Sequence, residues 1–97
     1  MIVVLGSVDV QPESLDLTLR VALEHCARSR EEPGCISHEC FQAVGRPNLL
    51  QFVEVWSDMT ALRAHFAVDA SKQFAAQMGK LAVKPPVMRI LQAEELG

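Results

Sequence analysis

The sequence predicts one domain of the α+β class, in which a four-stranded antiparallel sheet carries its helices on one face. Three observations predict it. The 97 residues suit a single core rather than two; apolar periodicity switches between strand and helix in the order β-α-β-β-α-β; and several strands are apolar on both sides.

Residues 1 to 9, MIVVLGSVD, are rich in β-branched side chains and read as a strand buried on both faces. From Pro12 or Glu13 to about Arg30, Leu15, Leu19, Ala22, Leu23 and Cys26 recur at three- and four-residue spacing, the stripe of an amphipathic helix. Its acidic start (Glu13, Asp16) and basic end (Arg28, Arg30) suit the helix dipole. Pro33-Gly34 breaks the chain before CISHECFQA, residues 35 to 43, a second strand. Gly45, Pro47 and Asn48 then predict an enlarged hairpin loop with Arg46 at its tip, followed by LLQFVEVW as a third strand. Ser57 or Asp58 can cap a short helix that turns Leu62, His65 and Phe66 inward. A second helical piece runs from about Ala70 to Leu81 behind Asp69 as cap, with Phe74, Met78 and Leu81 at helical spacing. Lys84-Pro85-Pro86 ends it, and VMRILQAE, residues 87 to 94, is the last strand.

This order is the split β-α-β, ferredoxin-like pattern. Val3 and Leu5 oppose Ile2 and Val4, and Val53 and Val55 oppose Phe52 and Trp56, so the face away from the helices is also apolar. Soluble monomers avoid such a patch, which predicts a homodimer joined through the open sheet face.

The formal charge of −3, with nine scattered basic residues, argues against nucleic acid or an anionic membrane as partner. No apolar run is long enough to span a bilayer and no secretory pattern opens the chain, so residence in the cytoplasm is expected. Cys26, Cys35 and Cys40 then read as free thiols. On a regular strand Cys35 and Cys40 project to opposite faces, leaving only His38 and Cys40 together, too few ligands for a zinc site. The sequence shows no metal-ligand cluster, Gly-rich dinucleotide fingerprint or P-loop, and no metal or cofactor is expected.

Four stretches, EEPGC at 31–35, VEVWSD at 53–58, ALRAH at 61–65 and RILQ at 89–92, resemble the antibiotic biosynthesis monooxygenase domains, including the quinol monooxygenase type. Together with length and element order, the resemblance covers essentially the whole chain. It implies a dimeric ferredoxin-like α+β barrel with a pocket between sheet and helices. It also implies oxygenation of an electron-rich aromatic, such as a quinol, an anthrone or a polyketide-like molecule, by dioxygen without metal or flavin. Many relatives carry a second histidine five residues after the ALxxH segment, where this chain has Ala70, and an aromatic three residues after GC, where it has His38. The haem-degrading branch fits poorly: its tryptophan falls at His65, its haem-ligating histidine near Ala75, and its strand-one asparagine has no counterpart around Gly6 and Ser7.

His65 is the leading catalytic candidate, since an inward neutral imidazole can take a phenolic proton, with His38 as a second. An inward histidine is more often a satisfied core group than a catalyst, and that reading stands beside the catalytic one for both. Glu54, flanked by Phe52 and Trp56 on its strand face, needs a partner, whether a backbone N–H, His65 or a second protomer. Trp56, Phe52, Glu54, Phe66, Phe74 and Met78 are the expected pocket lining, although helical apolar spacing alone also makes Phe66, Phe74 and Met78 ordinary core. A ligand-binding dimer without catalysis and a cofactor-free isomerase or lyase remain as alternatives on the same scaffold.

Overall fold

In the computed structural model, which describes all 97 residues, four strands pair antiparallel in the order β2-β3-β1-β4. They are β1 (Ile2–Asp9), β2 (Cys35–Ala43), β3 (Arg46–Trp56) and β4 (Val87–Gln92). A 3-10 turn at Pro12–Ser14 leads into α1 (Leu15–Arg30); α2 (Met59–Ala67) and α3 (Asp69–Leu81) connect β3 to β4. This is the ferredoxin-like α+β arrangement expected from the periodicities.

The alternation of each central strand decides its two faces. Ile2, Val4 and Val8 of β1 and Leu50, Phe52, Glu54 and Trp56 of β3 are buried toward the helices. Val3, Leu5, Val53 and Val55 are half-buried on the other side. The buried set forms two apolar clusters. One joins Val8, Leu50 and Phe52 to Ala22, Cys26 and Met78 of the helices; the other joins Ile2, Val4 and Trp56 to Leu62. Trp56 is fully buried and contributes on the order of 2–3 kcal/mol by that burial. Glu54 stands between Phe52 and Trp56 on the same strand face, so a polar layer separates the two clusters.

Three details depart from expectation. The β2–β3 connection is a tight turn rather than an enlarged loop: Ala43 pairs with Arg46, Gly45 adopts φ +82°, and Pro47 and Asn48 fall inside β3. Irregularity is displaced into the pairing next to it, between Gln42 and Ala43. Second, a β-bulge between Cys35 and Ser37 shifts the phase of β2, because one extra residue reverses every later side chain. Cys35 pairs with Trp56, His38 with Glu54 and Cys40 with Phe52, so all three turn inward, while Ile36 is 60% exposed. The expected opposition of Cys35 and Cys40 is thereby overturned, while His38 and Cys40 do share a face. Third, Val68 rather than Asp69 occupies the N-cap of α3, and Asp69 lies in its first turn.

At α2 the cap falls as expected, with the Asp58 carboxylate accepting from the Ala61 N–H at 2.9 Å. The extended Val68 breaks the second helix in two, its N–H donating to the His65 carbonyl and its own carbonyl accepting from Ser71 and Lys72. All three cysteines are free thiols. Burial pushes the Cys26 thiol up to about 11 and the Cys40 thiol up to about 12. No helix is long and apolar enough to cross a membrane.

Candidate active site

The polar layer is built from four elements. His65 lies one turn after Leu62 on α2, and its 3% exposure matches the inward face predicted for it. Its Nδ1 is 2.8 Å from Glu32 Oε1, on the turn before Pro33-Gly34. A carboxylate accepts, so Nδ1 carries the hydrogen; Nε2 is the nitrogen left to exchange a proton, and it lies 3.8 Å from Glu54 Oε1. Glu54 itself is 5% exposed and accepts the indole N–H of Trp56 at 3.0 Å, which is the partner its burial demanded. Burial alone would raise the Glu54 pKa; contact with His38, the Trp56 N–H and the nearby His65 outweigh it and hold the carboxyl below its ordinary value.

His38 projects from β2 with no exposed surface. Its Nε2 approaches Glu54 Oε1 to 3.4 Å, too long for a well-formed hydrogen bond, and neither ring nitrogen has a hydrogen-bond partner.

Sequence reasoning missed His25. It sits on α1 between Ala22 and Ser29, is 3% exposed, and stacks on Phe74 with ring centroids 3.8 Å apart and planes 2° from parallel. Arg28, one turn along, approaches its Nδ1 at 2.7 Å. Burial, reinforced by His38, His65 and Arg28, pushes the His25 pKa down to about 3. The signal was present, since three residues past Ala22 is the buried stripe itself. Arg28 and Glu32, read only as a helix-end charge and part of a motif, were missed as partners of the two imidazoles.

That depression has a consequence for stability. An exposed imidazole titrates near 6.5, so between there and about 3 the unfolded chain binds the proton that folded His25 refuses. The contribution of His25 is therefore fully present above about pH 6.5 and declines on acidification, by up to about 1.4 kcal/mol per pH unit. Urea denaturation at pH 7 and pH 5 is expected to show this loss, and the H25F variant to show a shallower one. Equal slopes in the two proteins would remove His25 as its source.

A cleft of about 180 Å³ opens onto this layer. Phe52, Phe66, Phe74 and Met78 form its apolar walls, His25, Glu54 and His65 its polar part, and Gly6, Ser7 and Pro86–Met88 its other rim. Five of the six expected lining residues are thus in place. Trp56 is the exception, lying behind the cleft against the ring of His65 at a 4.6 Å centroid distance, and His38 too is set back from it. His38 can act on a bound molecule only through its neighbours.

Linear spacing shows no metal-ligand cluster, but folding brings three imidazoles together. His25, His38 and His65 each offer a ring nitrogen, all within 4.8 Å of one another, although they come from α1, β2 and α2. A cation bound through His25 would have to displace or tolerate the Arg28 guanidinium, whereas metal-bound imidazoles ordinarily donate their second nitrogen to an acceptor. As arranged, the layer suits proton transfer better than metal binding.

A sequence profile described as antibiotic biosynthesis monooxygenase matches residues 1–77. The chain belongs to the antibiotic biosynthesis monooxygenase family. A solved structure from Caulobacter crescentus, described as a candidate antibiotic biosynthesis monooxygenase, is similar at 28% identity and a TM-score of 0.88, over 97% of this chain and 90% of that one. One from Deinococcus radiodurans with the same description reaches a TM-score of 0.93 at 19% identity, over 99% and 95%, and bears on the fold alone. An uncharacterized Synechocystis protein is 31% identical over 94 residues, which are 97% of this chain and 64% of that protein. Within the antibiotic biosynthesis monooxygenase family resemblance, EEPGC supplies both Glu32 and the turn glycine, and ALRAH supplies His65. Where a second histidine is absent at Ala70, the adjacent Ser71 is buried with its hydroxyl 3.5 Å from His65 Nδ1.

Proposed function

We propose that this protein is a monooxygenase that oxidises a small aromatic molecule, of quinol, anthrone or polyketide-like type, with dioxygen and no cofactor. The observation that carries the reading is the Glu32–His65 pair beside an apolar cleft. The carboxylate fixes the imidazole through Nδ1 and stabilises the cation that forms when Nε2 takes a proton. The ligand anion is itself the reductant: it passes an electron to dioxygen, and the radical pair combines to a peroxide on a carbon that still bears hydrogen. Loss of that hydrogen with the outer oxygen as water leaves a carbonyl, at the CH2 of an anthrone or at a ring CH of a quinol, which then becomes a hydroxyquinone. Walls of Phe52, Phe66, Phe74 and Met78 keep bulk water from these intermediates. A cavity of roughly 150 Å³ can take up benzene, so the cleft volume favours the smaller, quinol end of the class.

The reading includes a homodimer. All six residues of β4 are exposed, and Leu91, Val87 and Phe41 extend the apolar surface of Val3, Leu5, Val53 and Val55 on the open sheet face. Light scattering is expected to give twice the chain mass for the wild type and a monomer for V55D; a monomeric wild type would end this part. The cytoplasm, where the three thiols stay reduced, is the compartment the reading assigns.

The deciding experiment is dioxygen uptake by chelator-treated protein against hydroquinones and anthrones, with H65A alongside. Uptake with product formation, lost in folded H65A, supports the reading. Tight binding without uptake favours the ligand-binding dimer, and conversion under strict anaerobiosis favours the isomerase.

A further inference from the structure

His25 and His65 both line the cleft, and the charge behind each ring gives them opposite roles. Glu32 can only accept from His65, which puts the hydrogen on Nδ1 and leaves the Nε2 lone pair. Arg28 can only donate to His25, so His25 Nδ1 accepts and the hydrogen of the neutral ring sits on Nε2. One imidazole is a proton acceptor, the other an N–H donor.

We propose that His25 and His65 form a binding site for one ionisable aromatic hydroxyl, whose oxygen accepts from His25 Nε2–H while giving its proton to His65 Nε2. This rests on the cleft being the small-aromatic site read above, and it adds which group on the ligand is recognised and which residue holds the charge. A ring nitrogen of His25 and one of His65 lie within 4.8 Å. Two nitrogens no farther apart than about 5.6 Å can both lie at a hydrogen-bond distance of roughly 2.8 Å from one oxygen, so the two rings are close enough to share it. When the proton moves, the O–H bond breaks, an N–H bond forms on His65, and the electron pair stays on the oxygen beside the His25 donor.

The surroundings keep His25 in this role. Rotating its ring would break both the Phe74 stack and the Arg28 contact. Burial and the facing groups, Arg28 on its own helix, His38 from β2 and His65 from α2, oppose a second proton on it, and the two carboxylates of the layer, Glu54 from β3 and Glu32 from the turn after α1, both stand against His65. Arg28 is set behind His25 and acts through it as a positioning residue, fixing the hydrogen on the cleft side. A methyl ether of the same aromatic could not give up the proton and should be excluded.

The test uses 4-nitrophenol, whose absorption reports its ionisation, with 4-nitroanisole as the ether control, on the intact protein. The wild type is expected to bind the dye ionised at a pH where the free dye is mostly neutral, and to bind the ether at least about tenfold more weakly. H25F keeps the stack but loses the N–H, and should lower the ionised bound fraction about tenfold; H25Q, with an amide N–H near the Nε2 position, should recover part of it. Because H25F could fold poorly, ring-nitrogen NMR of the wild type provides a check without substitution, with His25 Nδ1 expected unprotonated and the R28M variant shifting hydrogen onto it. Dye bound as the neutral phenol, H25F equal to the wild type, or hydrogen on His25 Nδ1 in the wild type would each overturn the proposal. Ionised binding that depends on His25, with no dioxygen uptake from any quinol or anthrone, would overturn the oxygenase reading and leave this one standing.

Discussion

The H65A variant is expected to lose dioxygen uptake by about 100- to 10,000-fold on any quinol that the wild type oxidises, the range over which a positioned general base acts. The size of the effect follows from what no neighbour can replace. Within the layer, Glu54 accepts from Trp56, His25 is held as a donor by Arg28, and His38 is set back from the cleft. Glu32 reaches the ligand only through the imidazole it orients. E32Q should therefore cost less, about tenfold in kcat with KM little changed, because an amide oxygen can still accept from Nδ1–H but carries no charge to stabilise the cation. H65A also leaves the Glu32 carboxylate without its partner, so a thermal melt must accompany the kinetics. Full turnover by folded H65A would remove the base from the scheme.

The largest effect on stability is expected from G34A. Gly34 adopts φ +82°, and a Cβ there would stand 2.5 Å from Ala61 Cβ and 2.8 Å from Ser57 Oγ. The Gly34 carbonyl also accepts the Ser57 N–H at 2.8 Å, so this turn is fastened to the start of α2. Strain at a positive φ adds to a clash with an atom fixed on a helix, and the sum is about 3 kcal/mol. For a domain this size that lowers Tm by more than about 10 °C. The same displacement would pull Glu32, two residues away, off His65. A G34A melt within two or three degrees of the wild type would show instead that α2 can slide aside freely.

Much of the fold was legible because it rests on period. The stripe Leu15, Leu19, Ala22, Cys26 could only be a helix face, and the alternation around Phe52, Glu54 and Trp56 fixed which side of β3 is buried. The inward His65 and the capping Asp58 followed from local spacing in the same way. What escaped depends on registry between distant segments. The bulge at Cys35–Ser37 is set by how β2 meets β3, and it alone turns Cys35 inward and Ile36 outward. The three imidazoles converge from α1, β2 and α2 only once the helices settle on the sheet, so no linear spacing displays them. His25 was the recoverable omission, since the helical stripe already placed it inside. Its partnership with Arg28 then required the three-dimensional path of a long side chain.

The thiols of buried Cys26 and half-buried Cys40 bear on how an oxygenase of the proposed kind would survive its own chemistry. Oxidation of a cysteine by peroxide starts from the thiolate, and at pH 7 groups held near 11 and 12 are ionised in roughly one molecule in ten thousand and one in a hundred thousand. Peroxide escaping from the cleft would meet sulfur in its least reactive form at Cys26 and Cys40, both packed with the apolar cluster that the cleft wall shares. Under the proposed function, the protection of these two sulfurs would be a by-product of ordinary core packing.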